Sequence, residues 1–113
     1  ADKTVLKAYS KLVDDEFLCE NRQTVYSEKA TEVRLTLLNG ILYFAVHSKT
    51  FESVSDIKLS LGESELSTTH KKIKLLRNRA IVPFAKGILP KNRAGRLSFK
   101  LDRKLVTVEV EVR

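Results

Sequence analysis

Apolar and polar positions alternate most regularly from Thr31 to Ser48, on both sides of an Asn39-Gly40 pair. Asn-Gly favours a two-residue hairpin turn, because both positions of that turn require a positive φ. Pairing the chain outward from the turn places Leu35 opposite Phe44. Since side chains alternate between the two faces of a strand, one face of this hairpin is wholly apolar and the other is mixed. The apolar face carries Val33, Leu35, Leu37, Leu42, Phe44 and Val46.

A second stretch of alternation, Arg96–Arg113, predicts a second hairpin with its loop at Asp102–Leu105. Its apolar face pairs Leu101 with Val106, Phe99 with Val108, and Leu97 with Val110. Its other face is polar and pairs Lys100 with Thr107, Ser98 with Glu109, and Arg96 with Glu111. Two hairpins that each have an apolar face can cover one another. We therefore expect a core that includes Leu35, Leu37, Phe44, Phe99, Val108 and Val110.

Shorter apolar runs between the hairpins predict further strands. They are Val25-Tyr26, Ile57–Leu61, Ile73–Leu76 and Ala80–Phe84. Pro83 restricts the last of these to an edge or an end of a sheet, because proline has no N–H to donate to a neighbouring strand. Polar residues predict loops and turns at Glu20–Gln23, Ser48–Asp56, Gly62-Glu63, Arg77–Arg79 and Gly87–Gly95.

The N-terminal segment Asp2–Leu18 has apolar residues near helical spacing, which predicts an amphipathic helix. A strand within Glu16–Glu20 is the alternative. In the helical interpretation, the carboxylates Asp14, Asp15 and Glu16 form the solvated acidic end of the helix. The predicted fold class is mainly β (α+β): an antiparallel β-sandwich or open barrel built from two hairpins. Residues 1–20 form the helix against an edge or an end, and residues 24–113 supply the strands of a single domain.

Motifs for catalysis or metal binding are not recognisable in the sequence. It has no nucleophile elbow, no glycine-rich phosphate loop and no paired histidines at metal spacing. Two histidines and one cysteine fall short of a closed zinc site. We predict no catalytic residue, no metal and no cofactor, and a buried, unreactive thiol at Cys19. No apolar run approaches the roughly 18 residues of a membrane-spanning helix.

Basic residues are concentrated in the C-terminal part of the chain. Residues 71–113 hold 13 basic and 3 acidic residues, a net charge of 13 − 3 = +10, whereas residues 1–70 carry 8 − 11 = −3. This asymmetry indicates attraction to an acidic protein or another polyanion. A solvated surface that only keeps the protein soluble is the alternative. The predicted contact residues are Lys71, Lys72, Lys74, Arg77, Arg79, Lys91, Arg93 and Arg96.

Nucleic acid is a second candidate partner, but the aromatic residues do not favour it. Proteins that bind single strands expose aromatic side chains in a basic groove. Phe84 and Phe99 are the only aromatics in residues 71–113, and both belong to predicted apolar faces or runs. The leading hypothesis is a non-enzymatic binding or accessory protein that contacts an acidic macromolecule or an envelope component. The alternative is an intracellular module that binds nucleic-acid phosphates without sequence preference.

The chain begins at Ala1 and contains no methionine. Removal of a signal peptide explains both features, because signal cleavage follows small residues and tolerates Ala just after the cut. Trimming of a longer chain is the other explanation. We therefore expect a periplasmic or secreted protein, with a cytoplasmic location as the alternative. The sequence does not indicate an oligomeric state.

Overall fold

Two antiparallel sheets make up most of the computed structural model, which describes residues 11–14, 16, 22–85 and 89–113. The strands are β1 (Arg22–Glu28), β2 (Thr31–Leu38), β3 (Ile41–Ser48), β4 (Ser53–Leu61), β5 (Ser64–Ser67), β6 (Lys72–Lys74), β7 (Arg79–Pro83), β8 (Ala94–Leu101) and β9 (Lys104–Glu111). The first sheet has the order β1-β2-β3-β7. The second has the order β5-β4-β8-β9, and β6 also pairs with β4. The mainly β antiparallel prediction is confirmed, and the described strands do not close into a barrel.

The β2–β3 hairpin has the predicted register at every pair, from Leu38 opposite Ile41 to Val33 opposite Val46. Asn39 and Gly40 form its turn with φ values of 52° and 78°. This conformation is easy for glycine and tolerated by asparagine, which explains why the turn forms at this pair. The hairpin therefore presents its apolar face to the second sheet.

The β8–β9 hairpin corrects the prediction of a loop at Asp102–Leu105. Asp102 takes a positive φ of 54°, so the chain reverses in two residues and Leu101 pairs with Lys104. Phe99 is consequently opposite Val106, and the cross-strand partner of Arg96 is Glu109. The shift is by two residues, so each side chain keeps its predicted face.

A bulge in β4 explains why the sequence pattern predicts a loop over the whole of Ser48–Asp56, although β4 begins within that range. The register against β8 shifts between Ser55 and Lys58, and Asp56 has a positive φ of 52°. The extra residue changes the phase of alternation, so Val54 and Ile57 both reach the core although they are three positions apart. The strand begins at Ser53, before the alternation that the sequence shows from Ile57.

Other strand ends also differ from the predicted ones. β1 begins at Arg22, inside the predicted loop, and it has its own register shift between Thr24 and Tyr26. β6 covers only Lys72–Lys74, because Leu76 already pairs with Arg79 across the Arg77-Asn78 turn. β8 begins at Ala94, inside the predicted loop that ended at Gly95. β7 lies at an edge of the first sheet and ends at Pro83, as predicted.

The core lies between the two sheets and draws on both hairpins. The ring of Phe44 on β3 meets the ring of Phe99 on β8 edge to face, with centroids 5.4 Å apart, and Tyr26 on β1 meets Phe99 at 5.8 Å. Of the predicted core, Leu35, Phe44, Phe99 and Val110 are buried. Leu37 and Val108 are half-buried and pack against the same cluster.

The outer face of the first sheet is also covered, and this corrects the interpretation of Glu16 as solvated. Residues 11–14 and 16 are helical, and Glu16 is 3% exposed. Arg34 donates from Nε to both carboxylate oxygens of Glu16, at 3.1 and 3.2 Å, and Thr36 donates to the same carboxylate at 2.8 Å. Arg34 also donates to Glu32 at 2.8 Å. The rest of the predicted helix, and Cys19, lie outside the described residues.

We expect Phe44→Ala to lower the free energy of unfolding by about 3–5 kcal/mol, because it leaves a cavity against Phe99. The control is Leu105→Ala, which truncates a side chain that is 63% exposed and is expected to change little. Urea denaturation of both variants measures the difference. Equal stabilities would contradict a core shared by the two hairpins.

Glu16→Ala is expected to cost about 3 kcal/mol, because it removes two charged hydrogen-bond acceptors from the mostly buried Arg34. Asp14→Ala removes an exposed carboxylate from the same helical segment and serves as the matched control. Thermal unfolding of the two variants makes the comparison. If the two substitutions had the same effect, Glu16 would not hold the helical segment on the sheet.

Candidate functional site

Three turns and one loop meet at one end of the sandwich. The backbone N–H of Lys49, after β3, donates to the carbonyl of Ala30 in the β1–β2 turn at 3.2 Å. The N–H of Ser48 donates to the carbonyl of Asn78 in the β6–β7 turn at 2.8 Å. The N–H of Glu52 donates to the carboxylate of Asp102 in the β8–β9 turn at 3.2 Å. These bonds place distant parts of the sequence beside one another.

We call this region the basic end, because exposed cations from every one of these segments lie on it. They are Lys29, Lys49, Lys71, Lys72, Lys74, Arg77, Arg79 and Arg103. Two further lysines there are paired with carboxylates. Lys100 lies 3.5 Å from Asp56, and Lys104 lies 3.4 Å from Glu28.

Two short polar side chains hold the backbone of the basic end. The Asp102 carboxylate accepts from the N–H of Ser53 at 3.0 Å and from its hydroxyl at 3.1 Å, in addition to the N–H of Glu52. The buried Ser48 hydroxyl accepts from the N–H groups of Thr50 and Phe51 and shares a hydrogen bond with the Thr31 hydroxyl at 2.9 Å. The loop between β3 and β4 is therefore fixed to both sheets.

A groove of about 570 Å³ lies between β6, the start of β4 and the β8–β9 turn. Three cations line it, Lys72, Lys74 and Arg103, together with the half-buried Phe51 and Leu75. None of the three cations has a carboxylate of the described residues within 4.0 Å. Two carboxylates also line the groove, those of Glu52 and Asp102. The oxygens of Asp102 accept backbone hydrogen bonds, whereas Glu52 is exposed.

The eight predicted contact residues do not form one surface. Lys71, Lys72, Lys74, Arg77 and Arg79 lie at the basic end. Lys91, Arg93 and Arg96 lie at the other end of the second sheet, where Arg96 is opposite Ser60 near the end of β4. There Arg96 lies 3.8 Å from Glu109, and Arg93 is half-buried and donates to the carbonyl of Pro90 at 3.0 Å.

Sequence reasoning missed Lys29, Lys49 and Arg103 as members of the basic end. Lys29 and Lys49 belong to the part of the chain with a net negative charge, so a charge count along the sequence assigns them to the wrong group. The sequence did contain a signal for Lys29 and Lys49. The correctly predicted β2–β3 register places Thr31 beside Ser48, at the end of the hairpin far from the Asn39-Gly40 turn. Lys29 and Lys49 are close to these two residues in sequence and therefore lie at the same end.

The positive charge at this end also acts on His47. This half-buried residue of β3 pairs with Arg79 on one side and with Glu32 on the other. Burial, and then the positive charges of Arg79, Lys49 and Arg34, lower the pKa of the imidazole below its usual 6.5. The side chain is therefore neutral at pH 7 and adds no charge to the basic end.

No cluster of metal-ligating side chains is present in the described part of the chain. Within that part, no helix has the length and apolar character needed to cross a membrane. No family model matches the sequence, and no curated protein or solved structure is significantly similar to it.

We expect the folded protein to lose stability as the pH falls below about 6.5, the usual pKa of an unfolded histidine. The sign follows from the lowered pKa of His47, because the unfolded chain then binds the proton more tightly than the folded one. His47→Gln should remove this part of the pH dependence. The control, His70→Gln, replaces an exposed imidazole and should keep it.

Urea denaturation between pH 5 and pH 7.5 measures this effect, and proton NMR titration reads the imidazole pKa directly. A pKa of His47 at or above 6.5 would contradict the description of its surroundings as electropositive.

Proposed function

We propose that this protein is a non-enzymatic binding module whose basic end receives an acidic macromolecule, either an acidic protein or another polyanion. One observation carries the proposal. Lys72 and Lys74 from β6 and Arg103 from the β8–β9 turn converge on one groove, with no described carboxylate in ion-pair distance. The acidic partner supplies carboxylates or phosphates that pair with these cations, because Glu52 and Asp102 in the wall of the groove are not within ion-pair distance of them.

Exposure of these cations favours binding over a role in stability. A lysine that stays in water gains little from an internal ion pair and costs little to bring against an external anion. Several such contacts act together, and each is screened by salt over about 8 Å at physiological ionic strength. The expected interaction is therefore weak per contact, fast to form and strongly dependent on salt.

The aromatic residues favour an acidic protein over a single-stranded nucleic acid. Phe44, Phe84 and Phe99 are buried, and Tyr26, Tyr43 and Phe51 are half-buried. Phe51 is the only Phe or Tyr of the described residues in the wall of the groove, and it is half-buried, so the basic end lacks the row of exposed rings on which successive bases stack. Non-specific contact with the phosphates of a duplex is the alternative to be tested beside it.

Lys72→Glu with Lys74→Glu is expected to weaken binding to poly-L-glutamate at least tenfold at 20 mM salt, because two attractive contacts become repulsive. The matched control is Lys91→Glu with Arg96→Glu, which changes the net charge by the same amount at the opposite end. The control should bind within about twofold of the parent protein. Fluorescence anisotropy of the labelled polymer measures all three affinities.

The same affinities are also measured as a function of salt concentration. Binding of the parent protein should fade between low and physiological salt, and on duplex DNA each neutralised phosphate would contribute a slope of about −0.9 in log K against log salt. Equal weakening by both double variants would show that net charge alone matters. No binding at low salt would leave solubility as the only role of the charge.

A further inference from the structure

Three large apolar side chains are exposed in the described part of the chain, and two of them lie at the basic end. Leu76, between β6 and β7, is 48% exposed, and Leu105, at the start of β9, is 63% exposed. The third, Ile41, lies at the opposite end beside the Asn39-Gly40 turn. A single exposed leucine is ordinary on a protein surface, but these two lie on either side of a group of cations.

Leu76 continues the exposed face of β6. Exposed and half-buried residues alternate from Lys72 to Leu76, and the exposed ones are Lys72, Lys74 and Leu76. Because alternate residues of an extended chain share a face, Leu76 lies on the same side as the two lysines. The N–H of Leu76 donates to the carbonyl of Arg79 at 2.7 Å, and the N–H of Arg79 donates back at 3.1 Å. Leu76 is therefore held in place beside Lys74 by a hydrogen-bonded turn.

Leu105 lies in one row with Lys72 on the outer face of the second sheet. Lys72 on β6 is opposite Ser55 on β4. On the other side of β4, Ser55 is opposite Lys100 on β8, which in turn is opposite Leu105 on β9. Cross-strand partners share a face, and neighbouring strands are about 4.8 Å apart, so about 14 Å separates the backbones at Lys72 and Leu105. The two leucines thus mark two margins of one surface.

We call this surface the outer corner and define it by Lys72, Lys74, Leu76, Arg103 and Leu105. Its three cations have no carboxylate of the described residues within ion-pair distance. Its two leucines gain nothing from the carboxylates or phosphates of a partner dissolved in water. A lipid layer offers both kinds of contact, because anionic headgroups lie directly above an apolar interior.

We propose that the outer corner binds the surface of an anionic membrane. Lys72, Lys74 and Arg103 contact the phosphates of the headgroups, and Leu76 and Leu105 enter the boundary between headgroups and acyl chains. The charges bring the protein to the surface, and the leucines hold it there when salt screens the charges. This inference rests on the proposed function and names the polyanion as a lipid surface.

Leu76→Ser with Leu105→Ser keeps every charge of the protein. We expect this double variant to bind vesicles of equal parts phosphatidylglycerol and phosphatidylcholine at least about tenfold more weakly than the parent, because two apolar contacts are lost. Leu105→Ser alone should weaken binding about threefold. Its matched control is Ile41→Ser, which removes the exposed apolar side chain at the opposite end and should bind within about twofold of the parent. Co-sedimentation at low and at physiological salt measures binding, and thermal unfolding verifies that every variant is folded.

A fluorescent reporter tests directly whether the outer corner enters the lipid. The sequence contains no tryptophan, so a single introduced one reports only its own surroundings. The emission of Leu105→Trp should shift to shorter wavelength on these vesicles and should be quenched by lipids brominated on their acyl chains. Ile41→Trp, at the opposite end, should show neither change. Vesicles of phosphatidylcholine alone should leave both spectra unchanged, because they carry no net charge to attract the cations.

Poly-L-glutamate separates the failure of this inference from the failure of the proposed function. The leucine double variant should bind this polymer within about twofold of the parent, because the polymer has no apolar layer. If the double variant also binds the vesicles as the parent does, or if the emission of Leu105→Trp does not shift, the basic end binds by charge alone and the lipid contact is overturned.

Two further outcomes are decisive. If neither the vesicles nor poly-L-glutamate bind at low salt, the proposed function fails as well. If poly-L-glutamate or duplex DNA binds more tightly than the vesicles at the same concentration of anionic groups, the partner is an acidic protein or a nucleic acid, and the lipid surface is excluded.

Discussion

The contact between Phe44 and Phe99 is the interaction on which the rest of the structure depends. One ring belongs to the β2–β3 hairpin and the other to the β8–β9 hairpin, and both are completely buried. A lone hairpin is marginally stable, so each hairpin requires the other as a cover for its apolar face. Once the two sheets face one another, their connecting turns collect at the two ends of the sandwich. The position of the basic end is thus a consequence of core packing.

Burial on the outer face of the first sheet adds a second constraint. Thr36 and Glu16 are buried there, and Arg34 joins them to Glu32 on the same face. Burial alone would lower the pKa of Arg34, but hydrogen bonds to Glu16 and Glu32 outweigh it and raise the pKa. The guanidinium therefore stays charged, and it is partnered internally. Arg34 therefore differs from the exposed lysines of β6, because no carboxylate of the described residues lies within ion-pair distance of those lysines.

The basic end combines a hydrogen-bonded backbone with exposed charge. Asp102 and Ser48 fix the turns through backbone hydrogen bonds, so the groove keeps its shape, whereas the lysine side chains stay in water. Short edge strands with lysines are a common protection against aggregation, and β6 fits that description.

The sequence by itself determined the two hairpins, the β2–β3 register, the placement of Pro83 at an edge or an end of a sheet and most of the core, because these depend on local alternation and on turn chemistry. It did not determine the β4 bulge at Asp56 or the two-residue turn at Asp102, since an aspartate with positive φ leaves no mark in a hydrophobic pattern. It assigned Glu16 to solvent, because its partner Arg34 is 18 residues away and meets it only after folding. The tertiary structure alone separated Arg96 from Lys72 and brought Lys29, Lys49 and Arg103 to the basic end. Charge counts follow the order of the chain, whereas a binding surface is set by which strand ends lie side by side.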